Sequence, residues 1–150
     1  MQQKGFTIIE VLIVVAIIGI LTAMAIPRLG NSVAEQELTS SAQQMVSEIR
    51  YLQQITVNWD TDKAIPKMLF NNTEYRINEG LQTVKIITLP DSVSIYGTPN
   101  DIVFKVFDGG TAGNASQSIR LYSSKLNKSL FVIISPNRGR VRIDNVPNND

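Results

Sequence analysis

The sequence predicts an α+β protein: a long N-terminal helix, transmembrane at first and then amphipathic, packed on antiparallel β-sheet. Three observations carry this. Residues Phe6 to Ile26 read FTIIEVLIVVAIIGILTAMAI, 21 residues with one charge. As a helix they span roughly 30 Å, one hydrocarbon core. Leu38, Ala42, Met45, Ile49 and Leu52 then recur at three- and four-residue steps, the apolar stripe of a helix lying on a core. Beyond Trp59 the pattern changes to short apolar runs separated by turn residues, which is strand punctuation.

In order along the chain, Pro27 lacks an N–H and predicts a helix kink, and Gly30 and Asn31 weaken helix just beyond. Ser32-Val33-Ala34-Glu35 fits a capping box that restarts the helix, which runs to about Thr56. One long bent helix and two helices joined by a hinge both fit. The composition shift near residue 30 separates a lipid- or bundle-facing segment (6–30) from a globular part (31–150). In that part an amphipathic helix of about 32–56 precedes a β-rich region, 65–144. The expected strands are Lys67–Phe70, Glu74–Ile77, Thr83–Leu89, Val93–Tyr96, Ile102–Phe107, Ser118–Tyr122, Leu130–Ser135 and Arg140–Ile143. Short connections favour hairpins and meanders, and the polar end at Val146–Asp150 is expected to fray.

Composition narrows the chemistry. Fourteen Lys and Arg stand against 13 Asp and Glu, net +1, so any nucleic-acid or anionic-membrane partner has to use a local patch. The chain has no cysteine and no histidine, which removes disulfides, thiolate nucleophiles, the usual general base and the commonest metal ligands. Asp60, Asp62, Asp91 and Asp101 sit by turn signals without a pairing that predicts acid–base work. The Asp108–Asn114 loop lacks the Gly-Lys-Ser/Thr ending of a phosphate loop and offers one carboxylate to a cation, so it reads as a hairpin loop. No catalytic residue, metal site or cofactor is expected.

Glu10 is the anomaly in the apolar run. A carboxylate within an inserted helix costs on the order of 3 kcal/mol, less near the interface. An ordinary signal peptide, with Lys4 as its basic region and Ala23-Met24-Ala25 as a cleavage shape, gains nothing from it. Neither does a plain anchor. Cleavage between Gly5 and Phe6 places a new amino terminus four residues before Glu10, on the same helix face. That amine, mostly protonated at neutral pH, is a partner within the chain or across to a neighbour.

Lys4-Gly5-Phe6-Thr7, the glutamate at the fifth position from Phe6, the Ile/Val/Leu run and Pro27 together resemble the type IV pilin class of N-terminus. The resemblance implies a leader peptide (1–5), cleavage after Gly5 by a prepilin peptidase, N-methylation of Phe6, and Glu10 as the charge that registers each subunit in a filament. It implies a single-pass protein of the bacterial inner membrane, its globular domain on the extracytoplasmic side, later incorporated into a pilus or pseudopilus. Leu89-Pro90, Val93, Ile102-x-Phe104, Ile119, Leu121 and Gly139-Arg140-Val141-Arg142 are similar to the narrower GspH/FimT-type group of type II secretion pseudopilins and minor pilins. Members of that group typically pack two sheets on the long helix. The implied function is structural, with no catalysis. Its partners are other pilin or pseudopilin subunits, membrane lipid and secreted cargo.

A second function class rests on the C-terminal cations. Arg138, Arg140 and Arg142 follow one another at two-residue steps, and Arg140 and Arg142 fall on one face of the expected last strand. Two guanidinium groups so placed fit phosphates, and Gly-Arg-x-Arg resembles a pattern of DNA capture in FimT-like minor pilins. The competing reading is a charged edge strand that resists sheet-to-sheet pairing.

Overall fold

The structure, a computed structural model, describes residues 7–112, 116–136 and 138–147, without the side chains of 24–29. Helix α1 (Ile8–Val57) is one element of 50 residues. Eight strands follow: β1 (Lys67–Phe70), β2 (Glu74–Glu79), β3 (Gln82–Thr88), β4 (Val93–Tyr96), β5 (Ile102–Val103), β6 (Gln117–Ser123), β7 (Lys128–Ile134) and β8 (Val141–Asp144). The α+β reading holds, and the backbone is helical through Pro27, Gly30 and Asn31. The expected capping box at Ser32–Glu35 is corrected: those residues are helix interior, with no restart.

Residues 1–33 and 34–150 form separate compact units. In the first, Ile8 to Leu21 are exposed on every side, from Val14 at 50% to Ile8 at 83%. A helix apolar all round has no solvent face, so lipid or other helices must cover it. In the second unit α1 has one buried face. Leu38, Ala42, Met45, Ile49 and Leu52, the expected stripe, are all buried there.

That face meets two four-stranded antiparallel sheets, ordered β3-β2-β1-β5 and β4-β6-β7-β8. Strand alternation supplies the other walls of the core. Met68, Tyr75 and Ile77 come from the first sheet, and Ile95, Ile119, Leu121, Val132 and Ile134 from the second. The β2–β3 hairpin turns on Gly80 and Leu81 alone, with Glu79 opposite Gln82. Gly80 takes φ +64°, the first position of a II′-like turn.

One strand is shorter than expected. Ile102–Phe107 reads as continuous in the sequence, but β5 stops at Val103, leaving a single bridge from Phe104 to Thr111. Phe107 takes φ 69°, a left-handed conformation that no strand accommodates. Its N–H donates to the Val57 carbonyl at 3.3 Å, closing the end of α1, and the Gly109 N–H turns back to Lys105. The helix end has taken the backbone groups that a longer strand needs.

Candidate functional site

The N-terminal site begins with a helix cap. Thr7 precedes α1, and its carbonyl and hydroxyl accept the Glu10 N–H at 3.1 and 3.4 Å. Glu10 is therefore the third residue of the helix and the acidic residue of its first turn. A carboxylate there is favoured by the helix dipole, and Thr-x-x-Glu is the capping-box pattern. The sequence reading found the right pattern at the wrong place, at Ser32, and missed it at Thr7. The Glu10 side chain is exposed. Gly5 and Phe6, the expected cleavage pair, and the leader 1–5 lie outside the described residues. So does the Pro27 side chain; the backbone at Pro27 is helical.

Among the described residues, no helix is long and apolar enough to cross a membrane. The described apolar stretch Ile8–Ala23 rises about 24 Å, short of a ~30 Å hydrocarbon core. The expected span Phe6–Ile26 extends past it at both ends.

At the C-terminal end of α1 a side-chain latch places the arginine segment. Gln53 Nε2 donates to the Gly109 carbonyl at 2.6 Å and to the Arg138 carbonyl at 3.1 Å. Gly139 sits between them at φ +57°. A Cβ added there would lie 2.5 Å from Gln53 Nε2 and 2.9 Å from Phe104 Cε1. Arg138, Arg140 and Arg142 are all exposed. β8 begins after Arg140, so only Arg142 of the three is a strand residue. Arg142 Nε lies 3.9 Å from Asp144 Oδ2, on the same face.

A fourth arginine arrangement has no counterpart in any local sequence pattern. Across the second sheet Tyr96 pairs with Arg120, and Arg120 with Phe131. The Arg120 guanidinium lies 4.5 Å from the Tyr96 ring centre, 5.9 Å from Tyr122 and 6.0 Å from Phe131. Its Nε donates to Ser129 Oγ at 2.8 Å. These residues are spread from 96 to 131, and only the strand register brings them together.

Where α1 meets the first sheet, Lys85 Nζ reaches Glu48 Oε1 at 2.6 Å and lies 5.8 Å from the Tyr51 ring centre. Tyr75 is fully buried beneath. Burial, and then the charge of Glu48, hold its phenol well above the ordinary tyrosine range. No cluster among the described residues has the side chains to hold a metal ion.

Residues 1–26 match the family model of the prokaryotic N-terminal methylation motif, a span that contains Gly5, Phe6 and Glu10. The type IV major fimbrial protein FimA of Dichelobacter nodosus is 60% identical over 37 residues, 25% of this chain and 24% of that protein. A fimbrial protein of Pseudomonas aeruginosa is 52% identical over 50 residues, 33% of this chain and 30% of that protein. Similarity to the type IV major pilin protein PilE1 of Neisseria gonorrhoeae runs further. It is 34% identical over 128 residues, 85% of this chain and 58% of that protein. The chain thus spans about a quarter of the length of the first of these curated relatives. No solved structure matches it. The chain is thus similar to type IV pilins in its N-terminal methylation motif and, to PilE1, over most of its own length.

Proposed function

We propose that the chain is a structural filament subunit of the type IV pilin class, cut between Gly5 and Phe6 by a prepilin peptidase and methylated on Phe6. The observation that carries this is the exposed Glu10 carboxylate in the first turn of a helix that is apolar on all sides. Lipid holds such a helix before assembly, and like helices cover it afterwards. Among packed apolar helices a carboxylate has few partners other than a matched amine, and a new N-terminus supplies one. The narrower reading, a minor pilin or type II secretion pseudopilin of the GspH/FimT type, is supported by the two four-stranded sheets that share a core with α1. The relatives named above are major pilins and fimbrial proteins.

The intact mass of the protein taken from its native membrane tests the processing. Loss of Met1–Gly5 with one added methyl is expected, and loss through Ala25 overturns the reading. Glu10→Val is expected to insert into membrane normally and to drop out of filaments. Normal incorporation of that variant removes the role given to Glu10.

A second reading, DNA binding by a minor pilin of a DNA-uptake pilus, is favoured by the exposure of Arg138, Arg140 and Arg142 around the Gly139 turn. The Asp144 carboxylate beside Arg142 weighs against it. Replacing Arg140 and Arg142 together by alanine should lower affinity for duplex DNA and flatten its salt dependence. An unchanged salt slope sinks this reading.

A further inference from the structure

The Arg120 cluster is a charge held ready without a counter-charge. Tyr96, Tyr122 and Phe131 surround the guanidinium, and Ser129 fixes its Nε. Among the described residues no carboxylate pairs with it. Arginines on an open surface keep their rotamer freedom; Arg120, half-buried among three rings, has already given it up, which lowers the entropic cost of binding an oxyanion. Tyr96 is 61% exposed beside it. Tyrosine and arginine are the residue types that dominate the energetics of protein interfaces.

The chain also carries an exposed pair of carboxylates, with exposed Lys63 closing the same turn through its N–H on the Asp60 carbonyl at 3.1 Å. Asp60 and Asp62 lie on the exposed turn after α1, held by the Asp62 N–H on Asp60 Oδ1 at 3.2 Å. Neither has an ion-pair partner among the described residues. The turn follows the C-terminus of α1, whose last turn contains no basic residue. The negative end of the helix dipole therefore adds to the two carboxylates. Other carboxylates without ion-pair partners, such as Asp91 and Asp108, stand singly in the sequence.

We propose that the Tyr96–Arg120–Tyr122 face of one subunit docks the Asp60–Asp62 turn of a second copy of this chain. This rests on the filament reading and adds its partner surface. The two patches are different parts of one molecule, so the contact is heterologous. Repeated from copy to copy, such contacts build an open helical array unless the rotation closes.

The absence of cysteine makes the test clean, because every introduced thiol is unique. The full-length chain with Tyr96→Cys and Asp62→Cys, assembled in its native membrane and oxidised, is expected to give a ladder of covalent multimers. Either single variant should give none. Arg120→Glu should cut assembly about tenfold, and Asp60→Arg with Asp62→Arg in the same chain should restore it. The aspartate pair alone, on an exposed turn away from the core, should show the same loss if Arg120→Glu fails to fold. Filaments that form normally without the ladder overturn the contact. So does capture of a different protein by the thiol introduced at position 96, or a single-stranded oligonucleotide retained through Arg120 in place of the ladder. If the native chain keeps residues 1–5 and forms no multimers, the filament reading falls and takes this contact with it. If processing and filaments are intact and only the ladder is missing, the contact alone is wrong.

Discussion

Replacing Gly139 by alanine asks for room where three groups already close around the backbone. The residue has φ +57°, which costs an L side chain about 1–2 kcal/mol. The new methyl would also meet Gln53 Nε2 at 2.5 Å and Phe104 Cε1 at 2.9 Å, with the Gly109 carbonyl oxygen nearer still. Overpacking of that kind adds about 1–3 kcal/mol. Gln53 is the only flexible group of the three, and moving it breaks its bonds to Gly109 and Arg138. A total loss of about 2–5 kcal/mol follows. With a urea dependence of about 2 kcal/mol per molar, the unfolding midpoint falls by about 1–2.5 M. Gly97 is the control. It has φ +87° but no atom within 4 Å of its would-be Cβ, so alanine there bears the conformational cost alone. Urea unfolding of the detergent-solubilised full chain, followed by near-UV circular dichroism, compares the two. If Gly139→Ala loses no more than Gly97→Ala, the crowding argument is wrong.

Two further outcomes follow from the Glu48–Tyr75 region. The Tyr75 phenol ionises near ~10 when unfolded and well above that when folded, because burial and then Glu48 oppose its charge. Stability is therefore full below about pH 10 and lost as pH rises further. Tyr75→Phe should shrink that alkaline loss in midpoints taken at pH 8 and pH 11. An identical slope in both proteins refutes the assignment. Lys85→Met leaves the Glu48 carboxylate, in a residue 8% exposed, without its cation. A loss of about 1–2 kcal/mol is expected, less than for a fully buried pair because Lys85 is half exposed. Glu48→Gln in the same chain should recover part of it, and strictly additive effects would show that the two do not interact.

The fold was legible where one local pattern decided it. The Leu38–Leu52 stripe marks a helix face whatever covers it, and alternation in Ser118–Tyr122 and Val93–Tyr96 marks half-buried strands. It misled where a neighbour far along the chain decided. Nothing in Ile102-Val103-Phe104-Lys105-Val106-Phe107 says that the Val57 carbonyl will take the Phe107 N–H. Pro27, Gly30 and Asn31 predict a kink and leave one bent helix and two hinged helices both open; the backbone is helical through all three. At the candidate site Glu10 stands out because a charge in an apolar run is costly; the cap that makes it the third helix residue is a local signal, carried by Thr7 three residues before it. The Arg120 platform could not be read at all. Tyr96, Arg120 and Phe131 become neighbours only through the β4–β6–β7 register, which no local pattern fixes.

The Gln53 latch bears on the order in which the molecule is made. Its two acceptors stand 56 and 85 residues further along the chain. An emerging polypeptide thus finishes its long helix well before anything exists to lock the helix end. Until Gly109 and Arg138 have been synthesised, the end of α1 has neither acceptor for its latch, and closing so long a loop is slow. Substitutions at Gln53 or Gly139 should therefore act on how quickly new chains become protected from proteases and chaperones, as well as on how stable finished ones are.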